Sequence, residues 1–96
     1  MRRILLVLRG AIDEAAVARC WAEVSKAGVE IALCYELPAG LDGLQEGLAA
    51  QRSLTALLRR LCGAQAETIP VFVSSQREGE SIADFANAWG ATEVKN

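Results

Sequence analysis

The chain opens on Ile4-Leu5-Leu6-Val7-Leu8, an unbroken apolar run closed by Arg9 and Gly10. A run without alternation has no wet face, so it fits a strand buried on both sides, as in a parallel sheet covered by helices. A parallel neighbour is reached only through a crossover, usually a helix. The next segments supply both parts. Asp13 is placed to cap a helix, with Glu14 against the positive end of its dipole. Ala16, Val17, Cys20, Trp21, Val24 and Ala27 recur at helical spacing as one apolar stripe, and Gly28 closes the helix. Residues 29–37 form a second strand, with Ile31, Leu33 and Tyr35 on one face and Ala32 and Cys34 on the other. Strand, helix and strand make a right-handed βαβ unit.

Pro38-Ala39-Gly40 ends the second strand, and Gly40, Gly43 and Gly47 leave the following stretch loosely specified. A helix runs from there to about Cys62 with two apolar phases: Leu44 and Leu48 share one, and Leu54, Leu57, Leu58 and Leu61 share the other. The second phase is the expected core face, with a bend or late start near Gly47. Arg52, Arg59 and Arg60 fall on the solvent side. Residues 68–75 read as a third strand, and Pro70 inside it confines that strand to a sheet edge, because proline donates nothing to a ladder. After a polar turn at 76–79, Ser81 and Asp84 are spaced to cap a helix carrying Ile82, Phe85, Ala86 and Trp89 as its stripe. Gly90 stops it, and residues 91–96 leave room for a stub of a fourth strand. The expected architecture is one α/β domain over residues 1–96: an open parallel sheet in two or three layers, strand order 3-2-1(-4).

Composition narrows the function classes. Of 96 residues, 52% are hydrophobic, which suits a packed soluble domain. Ten basic and twelve acidic residues are interspersed with a net charge of −2, so no electrostatic footprint for nucleic acid is present. The opening run is too short to span a bilayer, and no membrane association is expected; the expected compartment is the cytoplasm. The sequence has no histidine, and its three cysteines, Cys20, Cys34 and Cys62, form no CxxC pair. The common zinc sites and the Ser-His-Asp and Cys-His nucleophiles are thereby excluded. Ser74 and Ser75 have no identifiable base to activate them. The expectation is a protein that is not an enzyme, with no metal, no cofactor and reduced, buried thiols.

Two stretches carry a family resemblance. Ile4-Leu5-Leu6-Val7-Leu8-Arg9-Gly10 is similar to the opening strand of the universal stress proteins, and Ile82-Ala83-Asp84-Phe85-Ala86-Asn87-Ala88-Trp89-Gly90-Ala91 resembles the helix before their fourth strand. The resemblance implies their α/β fold, cut short after a fourth-strand stub, and a stress-response or regulatory role. This chain departs from the family at the nucleotide site. Arg9 stands where nucleotide-binding members carry an acidic residue, Ala11 stands where they carry serine, and their glycine-rich phosphate stretch has no counterpart here. ATP or AMP binding in the family manner is therefore not expected.

The function expected is a non-enzymatic regulatory module working through self-association or a protein partner. The alternative is a binder of a small anionic or nucleotide ligand at the end of the first strand, where open α/β sheets hold ligands. The candidate ligand-binding residues are Arg9, Gly10, Ala11 and Tyr35, with Arg9 either holding an anion or paired to Asp13 or Glu36. A homodimer or larger homo-oligomer is expected, formed at the free edge of strand one, at the stub over 92–95, or by exchange of the last helix. Trp21 and Trp89 read as core or interface residues, and Cys34 as a buried thiol or a redox sensor.

Overall fold

The computed structural model describes residues 2–24, 28–38, 40, 43–75 and 81–95. Its elements run β1 (Arg2–Leu8), α1 (Glu14–Val24), β2 (Val29–Glu36), α2 (Leu44–Cys62), a 3₁₀ helix (Gly63–Thr68), β3 (Val71–Ser74), α3 (Ile82–Trp89) and β4 (Glu93–Lys95). The four strands form one all-parallel sheet in the order β3-β2-β1-β4. Right-handed crossovers dictate where the helices fall. The steps from β1 to β2 and from β2 to β3 move the same way across the sheet, which places α1 and α2 on one face. The step from β3 to β4 runs back, which places α3 on the other. The result is three layers rather than two.

This arrangement explains the unbroken apolar run. Ile4 and Leu6 join Ile31, Leu33 and Tyr35 under α1 and α2, whereas Leu5 joins Ala32 and Cys34 under Ala86, Phe85 and Trp89 of α3. Leu54 and Leu58 of α2 are buried, with Leu57 and Leu61 packed beside them, while Leu44 and Leu48 stay 75% and 44% exposed. The later leucine phase is thus the core face. The helix starts at Leu44, with Gly43 as its N-cap, and not at Gly47. The side chains of Ala16, Cys20 and Val24, residue Ala27 and the turn at 76–79 lie outside the described residues.

β3 sits at the sheet edge as expected, but it is shorter than residues 68–75 and Pro70 is not part of it. Thr68 closes the 3₁₀ helix, and Pro70 stands just before the strand, its carbonyl accepting the Leu33 N–H at 2.9 Å. The proline keeps the one ladder group it possesses and stays outside the segment that needs an N–H.

β4 is the other edge, only three residues long and exposed throughout. Side chains staple it to β1. Arg2 donates to both carboxylate oxygens of Glu93, at 2.8 and 3.0 Å, and this holds the Glu93 carboxyl below the usual range. Thr92 accepts the Arg3 N–H through its hydroxyl at 3.0 Å and returns its own N–H to the Arg3 carbonyl at 2.8 Å. β4 pairs with Ile4, Leu5 and Leu6, so β1 is an interior strand and its second edge is not the open edge expected.

The ends of α3 follow from its sequence. The Ser81 hydroxyl accepts the Asp84 N–H at 3.1 Å, and the Asp84 carboxylate accepts the Ser81 N–H at 3.2 Å, a reciprocal capping box. Gly90 closes the helix in the left-handed region (φ +82°). α3 is eight residues long and is the one helix of the described residues on its face of the sheet, so its cap weighs heavily. Ser81→Ala is expected to lower unfolding stability by about 1 kcal/mol in a urea titration.

Candidate functional site

In an open parallel sheet, ligands bind beyond the carboxyl ends of the strands where the strand order reverses. Here that point lies between β1 and β4. Arg9 and Gly10 leave β1 at this end, Tyr35 and Glu36 finish β2, and α1 begins at Glu14.

The structure brings three of the four candidate residues together. Leu8 pairs with Tyr35 in the ladder, so Arg9 falls opposite Glu36, and its Nε donates to a Glu36 carboxylate oxygen. Tyr35 is buried on the α1 and α2 face, and its hydroxyl donates to the carbonyl of Gly10. Gly10 takes a left-handed conformation (φ +77°) with open space where a Cβ would stand. Ala11 follows on the exposed turn and contributes no side-chain hydrogen-bonding group.

The electrostatics of this end are self-contained. Arg9 is matched by the carboxylate of Glu36. The positive end of α1 already has a carboxylate in its first turn, Glu14, which in turn accepts from Arg60 at 2.6 Å. Val17 donates its N–H to the Asp13 carbonyl, which makes Asp13 the capping residue and a second acid at the same helix end. A phosphate arriving here would meet the Glu36 carboxylate beside Arg9 and, at the start of α1, the acids Asp13 and Glu14. Like charges at short range repel strongly where water is partly excluded.

Cys34 lies one residue before Tyr35 on the opposite face and is fully buried. Burial, with the Glu36 carboxylate adding to it and Arg9 opposing, pushes its thiol up to about 11. Burial also raises the Cys62 thiol. A redox sensor needs an exposed thiolate, so Cys34 has neither property the role requires. Among the described residues no group of three metal-ligating side chains forms, and no helix is long and apolar enough to cross a membrane.

Two further features were not foreseen from the sequence. At the amino ends of β1 and β2, a groove of about 550 Å³ opens between Arg3, Glu30, Trp21 and Trp89. It lies at the opposite end of the sheet from Arg9. The Arg3 guanidinium stacks over the Trp89 ring, 4.4 Å from its centroid. Its Nε lies 3.1 Å from a Glu30 oxygen, close enough for an ion pair but not aligned for a hydrogen bond. Both tryptophans also pack on the two core clusters, one on each face. The second feature is a groove of about 590 Å³ along the open edge of β3, between the exposed leucines of α2 and Phe85 of α3. The out-of-phase pair Leu44 and Leu48 was its signal in the sequence.

The chain matches no family model, no curated protein and no solved structure.

Proposed function

We propose that this chain is a non-enzymatic regulatory module of universal-stress-protein type that acts by associating with other protein chains, copies of itself first. Its ancestral ligand position is degenerate. The observation that carries this reading is the closure of the crevice by the chain's own groups: Arg9 on Glu36, Tyr35 on Gly10, and acids at the start of α1. Anion sites of this fold class need unmatched backbone N–H groups and a free cation at that end of the sheet. A stress-response role comes with the resemblance of residues 4–10 and 82–91 to that family, and the cytoplasm is the proposed compartment.

The competing reading, an anionic or nucleotide ligand held at Arg9, draws on its half-exposed side chain and the open space at Gly10. Melting curves with millimolar ATP, AMP or phosphate separate the two. A ligand that binds only the native state raises its stability by about 2.7 kcal/mol at a hundredfold excess over Kd. The expected result is an unchanged Tm with all three compounds. A rise that Arg9→Ala abolishes would install the ligand-binding reading instead.

A further inference from the structure

The two edges of the sheet are built differently. β4 is short, exposed and charged, with Glu93 tied to Arg2 and Lys95 at its end, which is how sheet edges are usually kept from pairing. β3 is nearly as short, at four residues, but lacks the charged side chains. Val71-Phe72-Val73-Ser74 carries no charge, and among the described residues none lining the groove along it is charged. Leu44, Leu48 and Gln51 follow one another at helical spacing along one wall of that groove, and Phe85 forms part of the other. Leu44 and Leu48 are two of the large apolar side chains most exposed in the described structure.

The free ladder can be assigned residue by residue. The carbonyls of Pro70 and Ser74 accept from Leu33 and Leu37 of the β2 segment, so even-numbered positions of β3 turn their backbone groups inward. Val71 and Val73 therefore turn theirs outward. Gln51 reaches the Val71 carbonyl from outside the sheet at 3.4 Å, in agreement. Among the described residues nothing pairs with the outer N–H of Val73.

We infer that β3 is the association edge: two copies of this chain join their β3 strands antiparallel about a two-fold axis at Phe72, giving one continuous sheet. This rests on the associating-module reading and adds its geometry. In that register Val71 pairs with Val73 of the partner subunit and Val73 with Val71 of the partner subunit, each pair exchanging both backbone bonds once the long Gln51 contact to the Val71 carbonyl gives way. Phe72 faces its own symmetry mate at the close, non-hydrogen-bonded spacing. There it extends the stack it already makes with Phe85, whose ring lies 5.2 Å away at 27°. On the other face Leu44 and Leu48 of each copy meet across the axis.

Charge matching favours a second copy as the occupant. Among the described residues the trough is uncharged with an apolar wall on each side, and β3 itself is an uncharged apolar strand. Pairing β3 head-to-tail with β4 of another copy would set Glu93 and Lys95 beside Phe72 and would build an open filament. The isologous arrangement buries no charge of the described residues and closes.

The test is light scattering on the wild-type chain and on the double variant L44E/L48E, combined with hydrogen exchange at Val73. Both leucines are exposed, so the variant keeps its fold, checked by its melting curve. The wild type is expected at twice 10.3 kDa, with the Val73 amide protected at high concentration and exposed on dilution. The double variant is expected to weaken the dimer by at least about 100-fold and to leave that amide exposed at every concentration. A wild-type dimer unaffected by the glutamates, with Val73 exchanging freely, would overturn the β3 edge and leave the associating-module reading standing. A wild type that is monomeric at high micromolar concentration would overturn the β3 dimer and self-association as the module's mode of action, including the case where it gains mass only on adding an unrelated extended peptide.

Discussion

Leu54→Ala is expected to cost about 3 kcal/mol of unfolding free energy and to lower Tm by roughly 15 °C. Leu54 is 0% exposed and lies in the cluster that joins α2 to β2 and to the end of the 3₁₀ helix, beside Leu33, Ala66 and Ile69. Truncation removes the transfer free energy of the lost methyl groups. It also leaves a cavity that three packed elements cannot collapse together to fill. Leu44→Ala, ten residues earlier on the same helix, removes the same atoms from a side chain that is 75% exposed. It is expected to change stability by less than about 0.5 kcal/mol in dilute protein, where no partner covers it. Equal losses from the two substitutions would mean that the helix packs on its earlier leucine phase.

That contrast marks what the sequence makes legible. The unbroken run of β1, the stripe of α3 and the later phase of α2 each state how many faces an element must bury, and the fold obeys them. The sequence places β3 at an edge through Pro70, yet Pro70 stands before the strand with its carbonyl toward β2, so it ends the segment that can donate on that side and does not itself make the edge. The handedness of the crossovers fixed the faces the helices take. The boundaries of β3 were less legible. Thr68 and Ile69 have strand-forming side chains, yet the backbone leaving α2 takes the tighter 3₁₀ path through Gly63, and tertiary geometry outweighs a propensity of a few tenths of a kcal/mol.

The candidate site divides in the same way. Arg9, Gly10 and Tyr35 could be placed together because they lie at the carboxyl ends of the first two strands of an open sheet. Which of its acidic neighbours Arg9 takes is a side-chain geometry, and the sequence left Asp13 and Glu36 open; the ion pair found is with Glu36. The Arg2 staple to Glu93 was invisible for a different reason. It joins residues 91 positions apart, and only the closing of β4 against β1 brings them together. The sequence leaves β1 with an open edge because a three-residue stub is short for a strand, whereas contacts of Thr92 with Arg3 and of Glu93 with Arg2 hold β4 in place.

Raising the pH from 8.5 to 11 is expected to destabilise the protein by up to about 3 kcal/mol through one thiol. Cys34 has an ordinary pKa of 9.0 and is pushed up to about 11 in the fold, first by burial and then by the Glu36 carboxylate. A thiol whose folded pKa lies above its unfolded value binds more protons in the native state throughout that interval. Stability therefore falls as the pH rises. The contribution is complete below pH 9 and is lost on approach to 11, at about 1.4 kcal/mol for each unit of separation. Glu36 has a double part in this. It compensates Arg9 at the crevice, and by its charge it helps to keep the adjacent thiol protonated, so Glu36→Gln should shorten the interval as well as release Arg9. Urea titrations at half-unit steps of pH, on the wild type and on Cys34→Ala, isolate the effect. The variant loses stability at every pH through its smaller side chain, but its slope between 9 and 11 should flatten to what the remaining groups supply. Parallel slopes in the two proteins would show that the thiol at the centre of the sheet is reached by water and base far more readily than its full burial under α3 implies.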